Sequence, residues 1–194
     1  CRQPGYEFTW VQAVAPRQSV VFTQPPAPVA GFPTRAAAQS SWRAQGVWVS
    51  NDPETDTKAY VRKQFRIEGA VEAASLVAAA DNGATVYVNG KRAVRAGNWD
   101  RTFGADIAAL LQEGENVIAV EAENAGGPAG VLVQARVSAG GKALTLGTDA
   151  SWRAAKAPQE GWMEVGFDDS GWQAPVELGA PPCDPWGDIP APRE

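Results

Sequence analysis

Histidine is absent from the 194 residues, and much enzymology goes with it. There is no imidazole base near neutral pH, no catalytic triad of the serine or cysteine kind, and no zinc or haem site built on that ligand. Cysteine is nearly absent too, with two residues, at positions 1 and 183. Cations are in short supply: 17 lysines and arginines face 22 acidic residues, for a net charge of −5. That balance leaves no basic footprint for a phosphate backbone and argues against a nucleic-acid partner. No run approaches the roughly 18 apolar residues that span a bilayer, so a transmembrane segment is not expected. Helical periodicity is almost missing as well. What is there is an ordinary globular composition, 44% apolar and 20% charged, in a length that suits one domain plus tails.

Proline marks the organisation. Six lie in residues 1–40 and six in 175–194, with three in the stretch between. Residues 1–40 therefore read as an N-terminal tether, 41–178 as the folded body and 179–194 as a C-terminal tail. Gln24-Pro25-Pro26-Ala27-Pro28 favours extended polyproline geometry. Within the tether, the runs at 8–11 and 19–22 have enough β-propensity to add short strands to the body or to a neighbour's edge. A cysteine at position 1 ahead of a proline-rich spacer has the form of a processed bacterial lipoprotein, its thiol carrying the lipid anchor. The competing readings are a plain chain boundary or a Cys1–Cys183 disulfide tying the two tails together. A lipidated sulfur cannot also form that disulfide. Either state suits a secreted, periplasmic or cell-surface protein.

Between the tails, apolar residues recur with period two in short runs separated by turn residues, the signature of an all-β sandwich. In Tyr60–Ile67, residues Val61, Phe65 and Ile67 share a face opposite Tyr60, Arg62, Gln64 and Arg66. In Gly130–Val137, Val131, Val133, Ala135 and Val137 point inward while Gln134 and Arg136 point outward. Leu76, Ala78 and Ala80 repeat the pattern before Asp81. Asn89-Gly90 is the strongest turn signal, because both central residues of a type I′ turn need positive φ. Asp81-Asn82-Gly83 marks another turn, and Asp106–Leu111 reads as one short helical turn capped by Asp106.

Five blocks in order carry a resemblance: Trp48-Val49 with Tyr60–Phe65; Ala80–Lys91, containing Asp81-Asn82-Gly83 and Asn89-Gly90; Leu110–Val120; Thr148–Arg153; and Phe167–Trp172. Residues 41–178 are similar to the galactose-binding-like jelly roll, and more narrowly to the non-catalytic β-sandwich domains of bacterial α-L-rhamnosidases and related glycoside hydrolases. The resemblance implies a jelly roll of about eight strands, often with a structural calcium ion, whose loops in some members hold a sugar. It implies no catalysis. The fold also serves as a passive spacer or assembly domain.

A sugar offers a flat apolar face and a ring of hydroxyls, so its site needs an exposed aromatic platform beside short polar side chains. Asn98-Trp99-Asp100, followed by Arg101, best meets that description, with Trp48 and Asn51 as a second set and Asn124 reaching in from the glycine-rich loop 124–128. The bland alternatives are that Trp99 plugs the sandwich end, that Trp48 is core between Val47 and Val49, and that Asn124 shapes its own turn. Trp42, Trp152 and Trp172 match packing positions of the family. For calcium, which wants six to eight oxygens, Asp149, Asp168 and Asp169 are the candidates beside an acidic loop of Asn51, Asp52, Glu54 and Asp56; Asp168-Asp169-Ser170 could equally cap a turn before Trp172. Glu121 and Glu123 stand about 6.6 Å apart along a strand, within the span of about 5 to 9.5 Å that glycosidases use, but alternation puts both on a solvated face. The sequence therefore predicts a non-catalytic carbohydrate-binding module, with a self-associating structural or assembly subunit as the competitor. That competitor rests on the aromatic tether residues Phe8, Trp10, Phe22 and Phe32, which need somewhere to dock.

Overall fold

A computed structural model describes residues 42–192. The expectations placed on Cys1, on the tether strands and on the four tether aromatics lie outside those residues.

The described chain is all-β, with strands β1 Gly46–Trp48, β2 Lys58–Ile67, β3 Val71–Asp81, β4 Gly83–Val88, β5 Lys91–Ala96, β6 Phe103–Asp106, β7 Gly114–Glu123, β8 Gly130–Ala139, β9 Lys142–Gly147, β10 Arg153–Ala155 and β11 Val176–Gly179. They form two antiparallel sheets. The first has the order β11-β1-β8-β3-β6, with β9 also paired to β8, and the second has the order β10-β2-β7-β4-β5. Strands β1 to β8 alone give 1-8-3-6 over 2-7-4-5, the jelly-roll arrangement, and β9, β10 and β11 are additions at its edges. The one helical element is a single 3-10 turn, Ala108–Leu110, where the Asp106 carboxylate accepts from the Ala108 amide at 2.9 Å.

The inward alternation is as read from the sequence. Val61, Phe65, Ile67, Leu76, Ala78, Ala80, Val131, Val133, Ala135 and Val137 all belong to the buried cluster between the sheets. Asn89 and Gly90 have φ of 50° and 75°, and the β4–β5 hairpin closes on them with Val88 opposite Lys91.

The outer faces differ from expectation. Arg62, read as outward, has 0% exposure, because residues 156–172 fold over the outer face of the second sheet. There Trp162 and Trp172 pack with Tyr60 and Ala119. The indoles are stacked with centroids 6.1 Å apart, and Tyr60 meets Trp162 edge-on at 5.3 Å. Gln134, also read as outward, is buried; its Oε1 accepts from the amides of Arg43 at 2.7 Å and Ala44 at 3.2 Å. The 179–194 stretch, expected as an extended tail, is instead packed against the first sheet through its described residues. Trp186 is 2% exposed and joins Ile189 in a cluster with Ala44, Ala79 and Leu132. An indole removes 150–250 Å² from water, enough to hold a short proline-rich segment in place.

Candidate functional site

One end of the sandwich gathers most of the candidate residues. The register aligns Lys58, Glu123 and Gly83 across β2, β7 and β4, pairs Ala84 with Ala96, and pairs Asp81 with Gly130. The loops 49–57, 97–102 and 124–129 and the corner residue Asn82 therefore rise from the same rim. Hydrogen bonds knit them. The Asn124 amide donates to Thr57 O at 2.8 Å and the Asn82 amide to Glu123 O at 3.0 Å. The Asn82 side-chain oxygen accepts from the Ala125 amide at 2.5 Å.

Trp99 stands on this rim and is 48% exposed, so it does not plug the sandwich end. Asn98 and Asp100 flank it; the Asp100 carboxylate accepts from Arg101 Nε at 3.2 Å on the surface. Asn51 is exposed and lines a small cleft of about 220 Å³ with Ser50, Pro53, Pro128 and Asp184.

Two expected binding residues are spoken for by the fold. Trp48 is 1% exposed and its Nε1 donates to Asp56 O at 3.0 Å, so it offers no open face and is core, as its place between two valines allows. Asn124 is buried; its Nδ2 donates to Pro53 O and Gly127 O, both at 3.1 Å, and its Oδ1 accepts from the Gly126 amide at 3.1 Å. It ties two rim loops together, with both Nδ2 hydrogens committed to the fold and only one lone pair of Oδ1 left over.

The calcium candidates do not converge. Asp169 ion-pairs with Arg62, Asp168 accepts from the Ser170 amide at 2.9 Å, and Asp149 accepts from the Ser151 amide at 2.8 Å. Among the described residues no group of three or more acidic, cysteine or histidine side chains is placed to hold a metal ion. Asp149, Asp168 and Asp169 thus do not fit a shared calcium. Cys183 carries a free thiol, donating to Gly179 O at 3.2 Å, and burial pushes its pKa up.

Sequence reasoning missed Asp81. It closes β3 on the rim, is 7% exposed, and its carboxylate has no hydrogen-bond or ion-pair partner among the described residues, so burial raises its pKa. Its oxygens still reach solvent, and partial desolvation with no donor among the described residues leaves the carboxylate an open acceptor on the rim. The available signal was the run Ala78-Ala79-Ala80-Asp81, an acid ending an otherwise apolar strand.

Fold and rim together define a class, the jelly-roll β-sandwich with a loop-built end. No protein-family model matches the sequence. The chain is similar to an α-L-rhamnosidase of Streptomyces avermitilis, 30% identical over 184 residues, which is 90% of this chain and 18% of the enzyme. A solved structure of the α-L-rhamnosidase from that organism, complexed with L-rhamnose, superposes with a TM-score of 0.72 at 28% identity, covering 80% of this chain and 16% of that one. A lectin from Pleurotus ostreatus, solved with GalNAc, gives 0.67 at 26% identity, covering 80% of this chain and 48% of the lectin. The chain thus spans less than a fifth of the rhamnosidase, and it is a β-sandwich domain similar to the non-catalytic domains of such enzymes.

Proposed function

We propose that this chain is a non-catalytic carbohydrate-binding module of an exported, glycan-directed protein, and that it takes its sugar on the rim. The observation that carries the reading is the placement, on one sandwich end, of an exposed indole, Trp99, and of a mostly buried carboxylate, Asp81, that has no donor among the described residues. The loop bearing Trp99 begins after Ala96, whose cross-strand partner Ala84 is two residues beyond Asn82. A pyranose would stack its apolar face on Trp99, donate a hydroxyl to Asp81, and find further polar partners in Asn98, Asp100 and Asn51. A small ligand in a shallow wet cleft of this kind has a Kd of about 10–1000 μM. Its relatives support the class of ligand: one is solved with L-rhamnose, another with GalNAc.

Calorimetric titration of the chain with L-rhamnose and with GalNAc, in calcium and again in chelator, tests the reading. Saturable heat with either sugar, weakened about tenfold in Trp99→Ala, is the expected result. A glycan array showing no binding of any saccharide would overturn it. The calcium arm shows whether a cation shares the site.

A further inference from the structure

The outer face of the second sheet is only partly covered. Residues 156–172 lie over Arg62, Ala119 and Tyr87, but the two rows of side chains nearer the rim stay open. Those rows are Lys58, Glu123 and Gly83, and then Glu121, Thr85 and Arg95, aligned by register across β2, β7, β4 and β5, with Tyr60 buried under Trp162 at their inner edge. Lys58, Thr85, Arg95, Glu121 and Glu123 line a cleft of about 220 Å³. Gly83 leaves room at its floor, since a Cβ there would sit 3.4 Å from Glu123 Oε1. At the inner end the cleft stops against Tyr60 and the Trp162 indole, in edge-on contact at 5.3 Å.

The charges in this cleft are not used by the fold. Lys58 and Glu123 face each other across the β2–β7 ladder, yet Lys58, Arg95, Glu121 and Glu123 form no ion pair among the described residues. The closest engagement is the Tyr60 hydroxyl, which donates to Glu121 Oε1 at 3.5 Å. Two cations and two carboxylates around a hollow disfavour a phosphate, which would meet the glutamates, and disfavour a bare amine, which would meet Lys58 and Arg95. They suit a neutral ring of hydroxyls, each of which can donate to a carboxylate and accept from a guanidinium or ammonium in charge-assisted bonds. The cleft is also continuous with the rim: Gly83 follows Asn82, Glu123 precedes Asn124 and Lys58 ends the 49–57 loop.

We propose that this cleft is a second saccharide subsite, holding the sugar adjacent to the one on the rim, so that the domain recognises a glycan chain in preference to a single ring. The inference rests on the carbohydrate reading above and adds the length of its ligand. The test compares calorimetric titrations of the chain with L-rhamnose and with an α-linked L-rhamnose trisaccharide, and, if an array shows another preference, with the monosaccharide and trisaccharide of that sugar. The trisaccharide is expected to bind about tenfold tighter. Arg95→Ala and Glu121→Gln should each reduce that advantage, and Gly83→Ser, which narrows the cleft, should remove it, while monosaccharide affinity and melting temperature stay as in the parent. Equal affinity for both lengths, or a length preference that survives all three substitutions, overturns the subsite and leaves the rim site standing. Failure of every saccharide to bind overturns both.

Discussion

Arg62 and Asp169 pair across 107 positions of sequence, and the guanidinium is fully buried. Arg62 also donates to the carbonyls of Trp162 at 2.9 Å, Glu164 at 3.1 Å and Phe167 at 3.4 Å, and lies over the Phe167 ring at 5.0 Å. One side chain of β2 thereby organises the whole segment that covers the second sheet. Burial pulls the guanidinium pKa down and Asp169 opposes that pull.

Arg62→Met should therefore cost more than removal of its counter-ion alone. It leaves the Trp162 and Glu164 carbonyls without their donor and Phe167 O and Asp169 with only Gln64 Nε2, at 3.2 and 3.4 Å, and a broken buried pair costs about 3–5 kcal/mol. Asp169→Asn keeps the carbonyl contacts and an acceptor, and should cost less. Chemical denaturation of both variants, with tryptophan emission as the probe, checks this. Arg62→Met should show red-shifted emission in native buffer as Trp162 and Trp172 meet water; equal costs and unshifted emission would show that the segment is held by its aromatics alone.

The packing of Trp186 makes a second prediction. A Cβ on Gly130 would fall 2.6 Å from Trp186 Cη2, and one on Gly46 would fall 2.3 Å from Cζ3. Gly130→Ala should destabilise by about 1–3 kcal/mol through overpacking, and Trp186→Ala by about 3–5 kcal/mol through the cavity it leaves. The double variant Gly130→Ala with Trp186→Ala should cost less than the sum of the two, because the methyl enters the vacated space. Additive costs in thermal melts would mean that the indole does not seat on Gly130.

These two contacts also explain what the sequence could and could not disclose. Period-two alternation identifies the inward face of each strand, since that follows from strand geometry alone, and Asn89-Gly90 announces its hairpin because few other residues tolerate two positive φ values. Alternation cannot tell whether the opposite face meets water. Arg62 and Gln134 sit at outward positions, and their burial depends on segments about a hundred residues away in one case and on residues 43–44 in the other. The proline-rich composition of 179–192 suggests a tether because proline disfavours strands, yet Trp186 and Ile189 bury themselves against the first sheet. At the rim, Trp99 was legible as the one tryptophan in a run of short polar residues. Asp81 was not, because a lone acid at a strand end looks like a turn residue until its burial and lack of partner are seen.

For the rim, Trp99→Ala should lower sugar affinity about tenfold, or about 1.4 kcal/mol, with little change in melting temperature, since a side chain 48% exposed contributes little burial. Trp48→Ala is the control with the opposite profile: a large loss of stability, about 3–5 kcal/mol, because that indole is core. Sugar affinity unchanged in Trp99→Ala would move the stacking platform elsewhere.

Asp81 offers the sharpest prediction, because its cost to the fold and its use to a ligand have opposite signs. Burial raises its pKa above the ordinary 3.8, so the folded chain holds this proton more tightly than the unfolded one. The group's effect on stability is then most favourable below pH 3.8 and turns unfavourable as pH rises through the folded-state pKa. Asp81→Asn, neutral at every pH, should melt above the parent at pH 7, and the difference should close as pH falls toward 3.8. Sugar binding should move the other way, weakening about tenfold as a charge-assisted acceptor becomes a neutral amide. Melting curves across pH 3–8 beside titrations at pH 7 would read both effects. A variant that melts lower at pH 7, or binds sugar as well as the parent, would show that this carboxylate serves the rim's architecture and not its ligand.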